Sequence, residues 1–223
     1  MNTVIKHSKP SRRKLRKLWW IFVLIAAAAL AAAVVFFAWS KGAFLPKWIV
    51  WEEKTLNLKH TQNAAAGNTD HARGSSDGSA DISDGSRGAE PEAIVLKNRR
   101  LEVQKDGSDA WESPGDILVQ DFLWCDINHD RKNELLLLCW RIGRYGNARP
   151  FWVEKDEKKW SQHIYIYEWR DGEIHPLWMA SDIGMDAAAF DFDETKRLHI
   201  TEVSGRETYW DWQSWGLTMI GEE

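Results

Sequence analysis

Cysteine is scarce in this chain, with only two among 223 residues. Two thiols exclude a disulfide-rich scaffold and a zinc site built from four thiolates. We expect Cys125 and Cys139 to be free, buried thiols. If the strands that carry them pair about the intervening loop, Cys139 lies opposite Asp121, and the thiols are about 13 Å apart along the strand, too far for a disulfide.

Catalytic signatures are also lacking. The seven histidines are scattered, and neither H-E-x-x-H nor C-x-x-C spacing occurs. A phosphate-binding glycine loop is absent as well. The sequence therefore predicts a non-enzymatic protein with no catalytic residues.

Positive charge is in deficit beyond the first residues. Residues 1–17 hold seven Lys or Arg and no acid, so the remaining 206 residues carry 22 basic side chains against 33 acidic ones. Nucleic-acid binding depends on neutralising phosphates with Lys and Arg. The composition therefore predicts no nucleic-acid partner.

One segment, residues 18–39, lacks charge altogether. Its 22 residues span about 33 Å as a helix, enough to cross a bilayer core of about 30 Å. Tryptophans, which favour the lipid–water boundary, stand at both ends as Trp19, Trp20 and Trp39. The positive-inside rule predicts a basic cytoplasmic tail over residues 1–17 and an extracytoplasmic C-terminal part. A cleaved signal peptide is the alternative, although the apolar run exceeds the usual h-region of about 7–15 residues.

Two connecting segments follow the predicted span. Residues 40–59 mix aromatic side chains with lysines, which predicts a juxtamembrane segment resting in the lipid headgroups. Residues 60–92 contain no aromatic residue and are rich in Gly, Ser and Asp. Such a composition cannot bury enough apolar surface to offset the entropy of ordering, so this segment is predicted to be a disordered linker.

Residues 93–223 show the alternating apolar pattern of β-strands. The alternation is clear in 100–104, 163–167 and 198–201, and turn-forming pairs such as Asp106-Gly107 and Asp171-Gly172 separate the apolar runs. Short alternating runs divided by turn residues are typical of antiparallel all-β domains. We predict an extracytoplasmic all-β domain of about ten strands, attached to one N-terminal transmembrane helix.

An internal repeat with a period of about 65 residues runs through this domain. The copies begin at Leu101 and Ile164, and each contains a strand, an Asp-Gly turn, a strand ending near a Trp, and a D-x-x-x-x-D strand. Repeated four-strand units indicate propeller-blade-like sheets. Only about two and a half units fit into residues 93–223, so either a small curved stack of sheets or a core completed by a partner chain is predicted.

An acidic loop, residues 126–134, carries the pattern of a cation site. Oxygen-bearing side chains occupy loop positions 1, 3, 5 and 9, and the carbonyl of position 7 can add a ligand. These residues are Asp126, Asn128, Asp130, Lys132 and Glu134. Hard oxygen donors suit calcium, which would act structurally by stiffening the turn. The alternative is a solvated loop whose Asp side chains cap their own backbone.

The pattern D-x-[DN]-x-D-x-x-x-E-L between two apolar strands resembles the FG-GAP/VCBS repeats of β-propellers and bacterial surface proteins. The resemblance covers residues 99–141 well and residues 142–223 more loosely. It implies a blade-like fold, calcium binding and a bacterial cell-surface setting. The family usually has Gly at loop position 6, whereas this chain has Arg131, which predicts a strained left-handed residue costing about 1 kcal/mol.

A second candidate site is the connection between the two repeats, residues 142–161. It is long for a strand connection and rich in aromatic and basic side chains, as binding loops often are. The candidate ligand-binding residues are Arg144, Tyr145, Phe151, Trp152 and Trp160. They can stack on sugar rings or grip a peptide. In the alternative, Phe151 and Trp152 fill a gap between two sheets.

These features together predict a membrane-anchored, extracytoplasmic binding or assembly module of the bacterial cell envelope. It sits in the cell membrane through a single span, and its partner is a protein or an envelope polymer. The alternative is an accessory subunit of a membrane-bound complex for envelope-polymer synthesis or export. In that case the small residues Ala26–Ala29 and Ala31–Ala33 would pack against partner helices.

Overall fold

A computed structural model describes residues 12–58, 90–145 and 149–223 of the chain. These residues divide into two compact units, 1–45 and 46–223. The predicted basic tail lies outside the described residues up to position 11, and so does the predicted linker from 60 to 89.

The first unit contains one long helix, α1, from Arg12 to Ser40. Within it, Trp19–Ser40 is long and apolar enough to cross a membrane and has no buried residues. A helix satisfies its own backbone hydrogen bonds, as a lipid environment requires. This segment agrees to within one residue with the predicted span, and it fits a membrane anchor or a signal sequence.

The described residues of the second unit form twelve strands in three four-stranded antiparallel sheets. The first sheet contains β1 (Lys54–Asn57), β2 (Ala93–Lys97), β3 (Arg100–Lys105) and β4 (Ser108–Glu112). The second contains β5 (Ile117–Cys125), β6 (Glu134–Ile142), β7 (Trp160–Arg170) and β8 (Glu173–Met179). The third contains β9 (Ala187–Phe192), β10 (Leu198–Glu202), β11 (Glu207–Gln213) and β12 (Gly216–Glu222). The prediction of an all-β fold with one N-terminal apolar helix is confirmed, although the described sheets do not form a closed propeller.

Asp-Gly pairs form two of the hairpin turns. In Asp106-Gly107 and Asp171-Gly172, both residues have positive φ, between 52° and 83°. Two-residue turns of this kind match the natural twist of antiparallel strands, and Asp and Gly adopt positive φ more readily than other residues. The turns between β3 and β4 and between β7 and β8 therefore follow from local sequence.

The second sheet is buried on both faces. Leu135 and Leu137 on β6 lie in a core that the second sheet forms with the first. Leu136 and Leu138 lie in a separate core shared with the third sheet. This arrangement explains why β6 is continuously apolar instead of alternating.

The sequence repeat maps onto four strands, but its frame differs from that of the sheets. The first copy covers β3 to β6, and the second covers β7 to β10. Each copy therefore contributes the last two strands of one sheet and the first two of the next. The stack contains three full sheets, not two and a half, because β1 completes the first sheet.

Part of the predicted juxtamembrane segment, residues 46–58, belongs to the second unit. Lys54–Asn57 pairs with β2 as an edge strand, and Ile49 and Leu58 are buried. This strand also brings the observed total to twelve, above the predicted count of about ten. Pairing with β1 satisfies the backbone N–H and C=O groups along one edge of β2. It also supplies the fourth strand of the first sheet, which residues 93–223 alone do not contain.

Further contacts fasten this segment to the second sheet. The Lys54 ammonium group pairs with Asp121 and lies 4.7 Å from the Phe122 ring centroid. The Trp48 and Trp140 ring centroids are 5.9 Å apart. Residues 46–58 therefore belong to the β unit, although the linker prediction separates them from it.

The prediction of two free, buried thiols is confirmed. Their register is different from the one predicted, because Cys139 lies opposite Val119 and not Asp121. A bulge at Gln120 inserts one extra residue into β5 and shifts the pairing. Burial raises the pKa of Cys125 to about 12, so this thiol is poorly reactive.

Candidate functional site

The loop at residues 126–133 connects β5 to β6 and has a defined backbone. His129 and Arg131 adopt left-handed conformations with φ of 63° and 70°. Ile127 is fully buried in the core between the second and third sheets, which anchors the loop. The predicted left-handed backbone at Arg131 is therefore confirmed, and a non-glycine residue bears its cost.

Side-chain oxygens in the loop accept hydrogen bonds from its own backbone. Asn128 Oδ1 accepts the N–H of Asp130 at 2.9 Å, and Asp130 Oδ1 accepts the N–H of Lys132 at 2.8 Å. Asp126 Oδ1 accepts the N–H of Arg131 at 3.2 Å. These bonds agree with the self-capped alternative. They use one carboxylate oxygen of Asp126 and one of Asp130.

Glu134 is the buried acid at the end of the loop and is only 2 % exposed. Its Oε2 accepts the N–H of Ile127 at 3.1 Å. Burial, reinforced by the negative charges of Asp130 and Asp126, raises the pKa of Glu134 to about 7. A cation between these three carboxyl groups would relieve both the repulsion and the burial cost.

The predicted donors are neighbours but are not gathered into a ready-made cage. Within residues 12–58, 90–145 and 149–223, no three His, Cys, Asp or Glu side chains form a group that could hold a metal ion. The donors fit calcium in chemical type, since Asn128 and the carbonyl of Lys132 would add neutral oxygens. Binding would require the carboxylates to draw together, so the calcium site stays a prediction.

The second copy of the acidic pattern has a different electrostatic environment. The turn after β9 holds Asp193, whose Oδ1 accepts hydrogen bonds from the Thr195 hydroxyl at 2.6 Å and the Arg197 N–H at 2.9 Å. Its Oδ2 lies 3.2 Å from the Arg197 guanidinium. Arg197 therefore neutralises this carboxylate internally, and the turn lacks the closing acid that Glu134 supplies in the first copy.

Replacing Arg131 with Gly is expected to raise the free energy of unfolding by up to about 1 kcal/mol, because Gly adopts positive φ without steric cost. It should also tighten calcium binding, because it removes a positive charge from the loop. Lys196→Gly is the matched control, since Lys196 has a φ of 62° in the turn between β9 and β10. Urea unfolding with calcium and with chelator measures both effects. Equal calcium dependence in the two variants would contradict a cation site beside Arg131.

The aromatic candidates lie along the connection between β6 and β7. Phe151 is 94 % exposed and Trp152 is 71 % exposed, and their ring centroids are 4.8 Å apart at 82°. The alternative in which this pair fills a gap between sheets is therefore wrong. The Arg144 guanidinium lies 5.6 Å from the Tyr145 ring centroid, and Trp160 is half-buried at the start of β7. The candidates thus comprise two adjacent pairs in the loop and Trp160 at the start of β7.

Asp156 organises this loop, and the sequence analysis missed it. Its carboxylate accepts the backbone N–H groups of Arg144 and Glu157, both at 2.8 Å, and that of Tyr145 at 3.1 Å. Gly143, with a φ of 102°, leaves the space that the carboxylate occupies. An Asp thirteen residues after a Gly is not a recognisable spacing, so no local signal identifies this role.

One Ser–His pair lies at the base of the same loop. Ser161 Oγ is 3.0 Å from His163 Nε2 and donates to the carbonyl of Gly143 at 2.9 Å. Both side chains are buried, and burial lowers the pKa of His163. The pair resembles a nucleophile and base in distance only, because the hydroxyl is engaged and enclosed.

Comparison with known proteins gives no match to a family model, a curated protein or a solved structure. The resemblance to FG-GAP/VCBS repeats therefore rests on the sequence pattern alone, which is clear over residues 99–141 and looser over residues 142–223.

Proposed function

We propose that this chain is a single-pass membrane protein whose extracytoplasmic β unit is a non-enzymatic binding or assembly module of the bacterial cell envelope. The observation that carries the proposal is the division into an apolar helix, Trp19–Ser40, and a separate β unit. Basic residues ahead of the helix favour a cytoplasmic N-terminus. The partner is a protein or an envelope polymer.

Protease treatment of intact cells tests the orientation. The proposal expects an external protease to cleave the β unit while a cytoplasmic control protein stays intact. Recovery of the intact chain, beside a cleaved surface control, would contradict it. Mass determination of the mature chain separates an anchor from a cleaved signal sequence.

We also propose that calcium binds the loop at residues 126–134 and stiffens the hairpin of β5 and β6. The burial of Glu134 and the negative charges of Asp126 and Asp130 close to it support this role. The carbonyl of Lys132 and the Asn128 amide would complete the ligand set. Calcium would hold the loop and carry no chemistry.

Thermal unfolding of the full chain with calcium or chelator tests the site. At a free calcium concentration 100 times Kd, mass action adds about 2.7 kcal/mol to stability. Glu134→Gln keeps an acceptor for the Ile127 N–H but removes a charge, so it should stabilise the chelated protein and abolish the calcium shift. Asp106→Asn, at an exposed turn with a φ of 52°, is the matched control and should retain the shift. An unchanged midpoint in the parent chain would contradict calcium binding.

The accessory-subunit alternative draws support from the surface of α1. Ala26–Ala29 and Ala31–Ala33 are exposed on the helix, and small side chains permit close helix packing in lipid. Replacing these alanines with Leu is then expected to break up complexes extracted in mild detergent. Complexes that survive the change would leave the binding-module proposal in place.

A further inference from the structure

The loop between β6 and β7 presents two large aromatic side chains to solvent. Phe151 and Trp152 are adjacent in the chain and are 94 % and 71 % exposed. Complete burial of a side chain of this size contributes about 1.5–3 kcal/mol. An adjacent pair left in water is therefore a favourable contact surface for an apolar phase.

Hydrogen bonds hold the described parts of this loop, residues 143–145 and 149–159, at its base and beside the aromatic pair. Asp156 binds the backbone N–H groups near Gly143, and the Gly143 N–H donates to the carbonyl of Lys159 at 2.9 Å. The N–H of Val153 donates to the carbonyl of Pro150 at 3.0 Å, which turns the chain at the aromatic pair. Preorganisation lowers the entropy cost of inserting the pair into a partner phase.

The charge of the loop is opposite to that of the surrounding domain. Residues 143–159 carry five Lys or Arg against three Asp or Glu, whereas the rest of residues 93–223 carries 11 against 22. One of the three loop acids, Asp156, is engaged by backbone N–H groups. Exposed cations therefore flank the aromatic pair as Arg149, Lys155 and Lys158.

We propose that Phe151 and Trp152 dock the β unit onto a membrane surface rich in anionic phospholipid. Aromatic rings favour the lipid–water boundary, and each basic residue near an anionic surface contributes about 1 kcal/mol. The acidic remainder of the domain would be repelled from such a surface, so the loop would also set the orientation. This proposal rests on the membrane anchoring proposed above.

The aromatic geometry favours lipid over an envelope polymer. Sugar stacking uses the open face of one ring with polar side chains around it. In this loop the rings meet at 82°, so one ring abuts the face of the other. Insertion into a bilayer boundary requires only exposed apolar edges and cations, and the loop supplies both.

Hydroxyl-radical footprinting of the full chain in nanodiscs tests the proposal. The discs contain either phosphatidylcholine alone or equal parts of phosphatidylcholine and phosphatidylglycerol. The oxidation rate of Trp152, read by mass spectrometry, is expected to fall severalfold in the anionic discs. Trp215 is an internal control, because it is 80 % exposed in the turn between β11 and β12 and should be oxidised equally in both.

Charge variants test whether the protection of Trp152 from oxidation comes from contact with anionic lipid. Lys155→Glu is expected to restore Trp152 oxidation in anionic discs, whereas Lys97→Glu, an equal charge change at the exposed end of β2, should not. If the chain enters the discs but Trp152 is oxidised at the same rate in both lipids, the docking proposal is overturned and the anchoring proposal is not. Protection by added cell-wall fragments but not by lipid would also overturn the docking proposal. A chain that fails to enter the discs would overturn the anchoring and the docking together.

Discussion

Replacing Gln162 with Ala is expected to lower the free energy of unfolding by about 3–5 kcal/mol, because several buried polar groups lose their partners. Gln162 Nε2 donates to the carbonyl of Ala187 at 2.8 Å and to Gln120 Oε1 at 2.9 Å, and its Oε1 accepts the Ala187 N–H at 2.8 Å. The Trp140 indole also donates to Gln120 Oε1, at 2.9 Å. This network joins the second sheet to the third.

Chemical denaturation of the full chain, followed by circular dichroism, measures this loss. Gln213→Ala is the matched control, because Gln213 is exposed at the end of β11, and a change below about 0.5 kcal/mol is expected there. Similar stability for the two variants would show that these buried hydrogen bonds stabilise the protein no more than hydrogen bonds to water do. A larger loss for Gln162 would establish it as a link between the two sheets.

Truncating Leu136 and Leu137 separately is expected to cost about 2–5 kcal/mol each, because each leaves a cavity in a different core. The two leucines are adjacent on β6, and both are fully buried. A sheet with only one buried face would make one substitution costly and the other nearly neutral. Comparable losses would therefore establish that the second sheet is enclosed on both sides.

Leu56→Ala is the control for these two variants. Leu56 lies on the edge strand β1 and is 37 % exposed, so a loss of about 1 kcal/mol or less is expected. Tryptophan fluorescence and circular dichroism should give coincident unfolding curves if the sheets unfold as one body. A small loss of stability for Leu136→Ala, together with a large loss for Leu137→Ala, would contradict the three-layer arrangement.

The two proposed sites on the second sheet can fail independently. The acidic loop precedes β6, and the aromatic loop follows it, so the nine residues of β6 separate them by about 27 Å. Local ordering by calcium at residues 126–134 is therefore not expected to alter lipid contact at Trp152. Footprinting in the presence of chelator should leave the protection of Trp152 unchanged.

The sequence predicted the backbone of the acidic loop better than its ligand geometry. Alternating oxygen donors and the position of Arg131 are local features, and the left-handed φ of Arg131 follows from them. The distances between carboxylates depend on the packing of Ile127 in the core shared with the third sheet and on the burial of Glu134. No spacing rule contains that information, so the sequence could propose the donors but not their assembly.

The aromatic loop shows the same division. Its length and composition predicted a binding loop, and the structure shows that Phe151 and Trp152 are exposed. The role of Asp156 was invisible, because it depends on a turn that brings Asp156 back to Gly143. Exposure itself depends on which residues the neighbouring sheets cover, and composition does not determine it.

Local spacing was sufficient to predict the apolar helix, the antiparallel strands, the Asp-Gly turns and the free thiols, since each depends on residues close together in the chain. Tertiary structure alone decided four other features: the recruitment of β1 across the linker, the burial of β6 on both faces, the bulge at Gln120 and the Gln120–Gln162 network. These features depend on contacts between distant segments. They form only where several elements pack together, so neighbouring residues in the chain carry no signal for them.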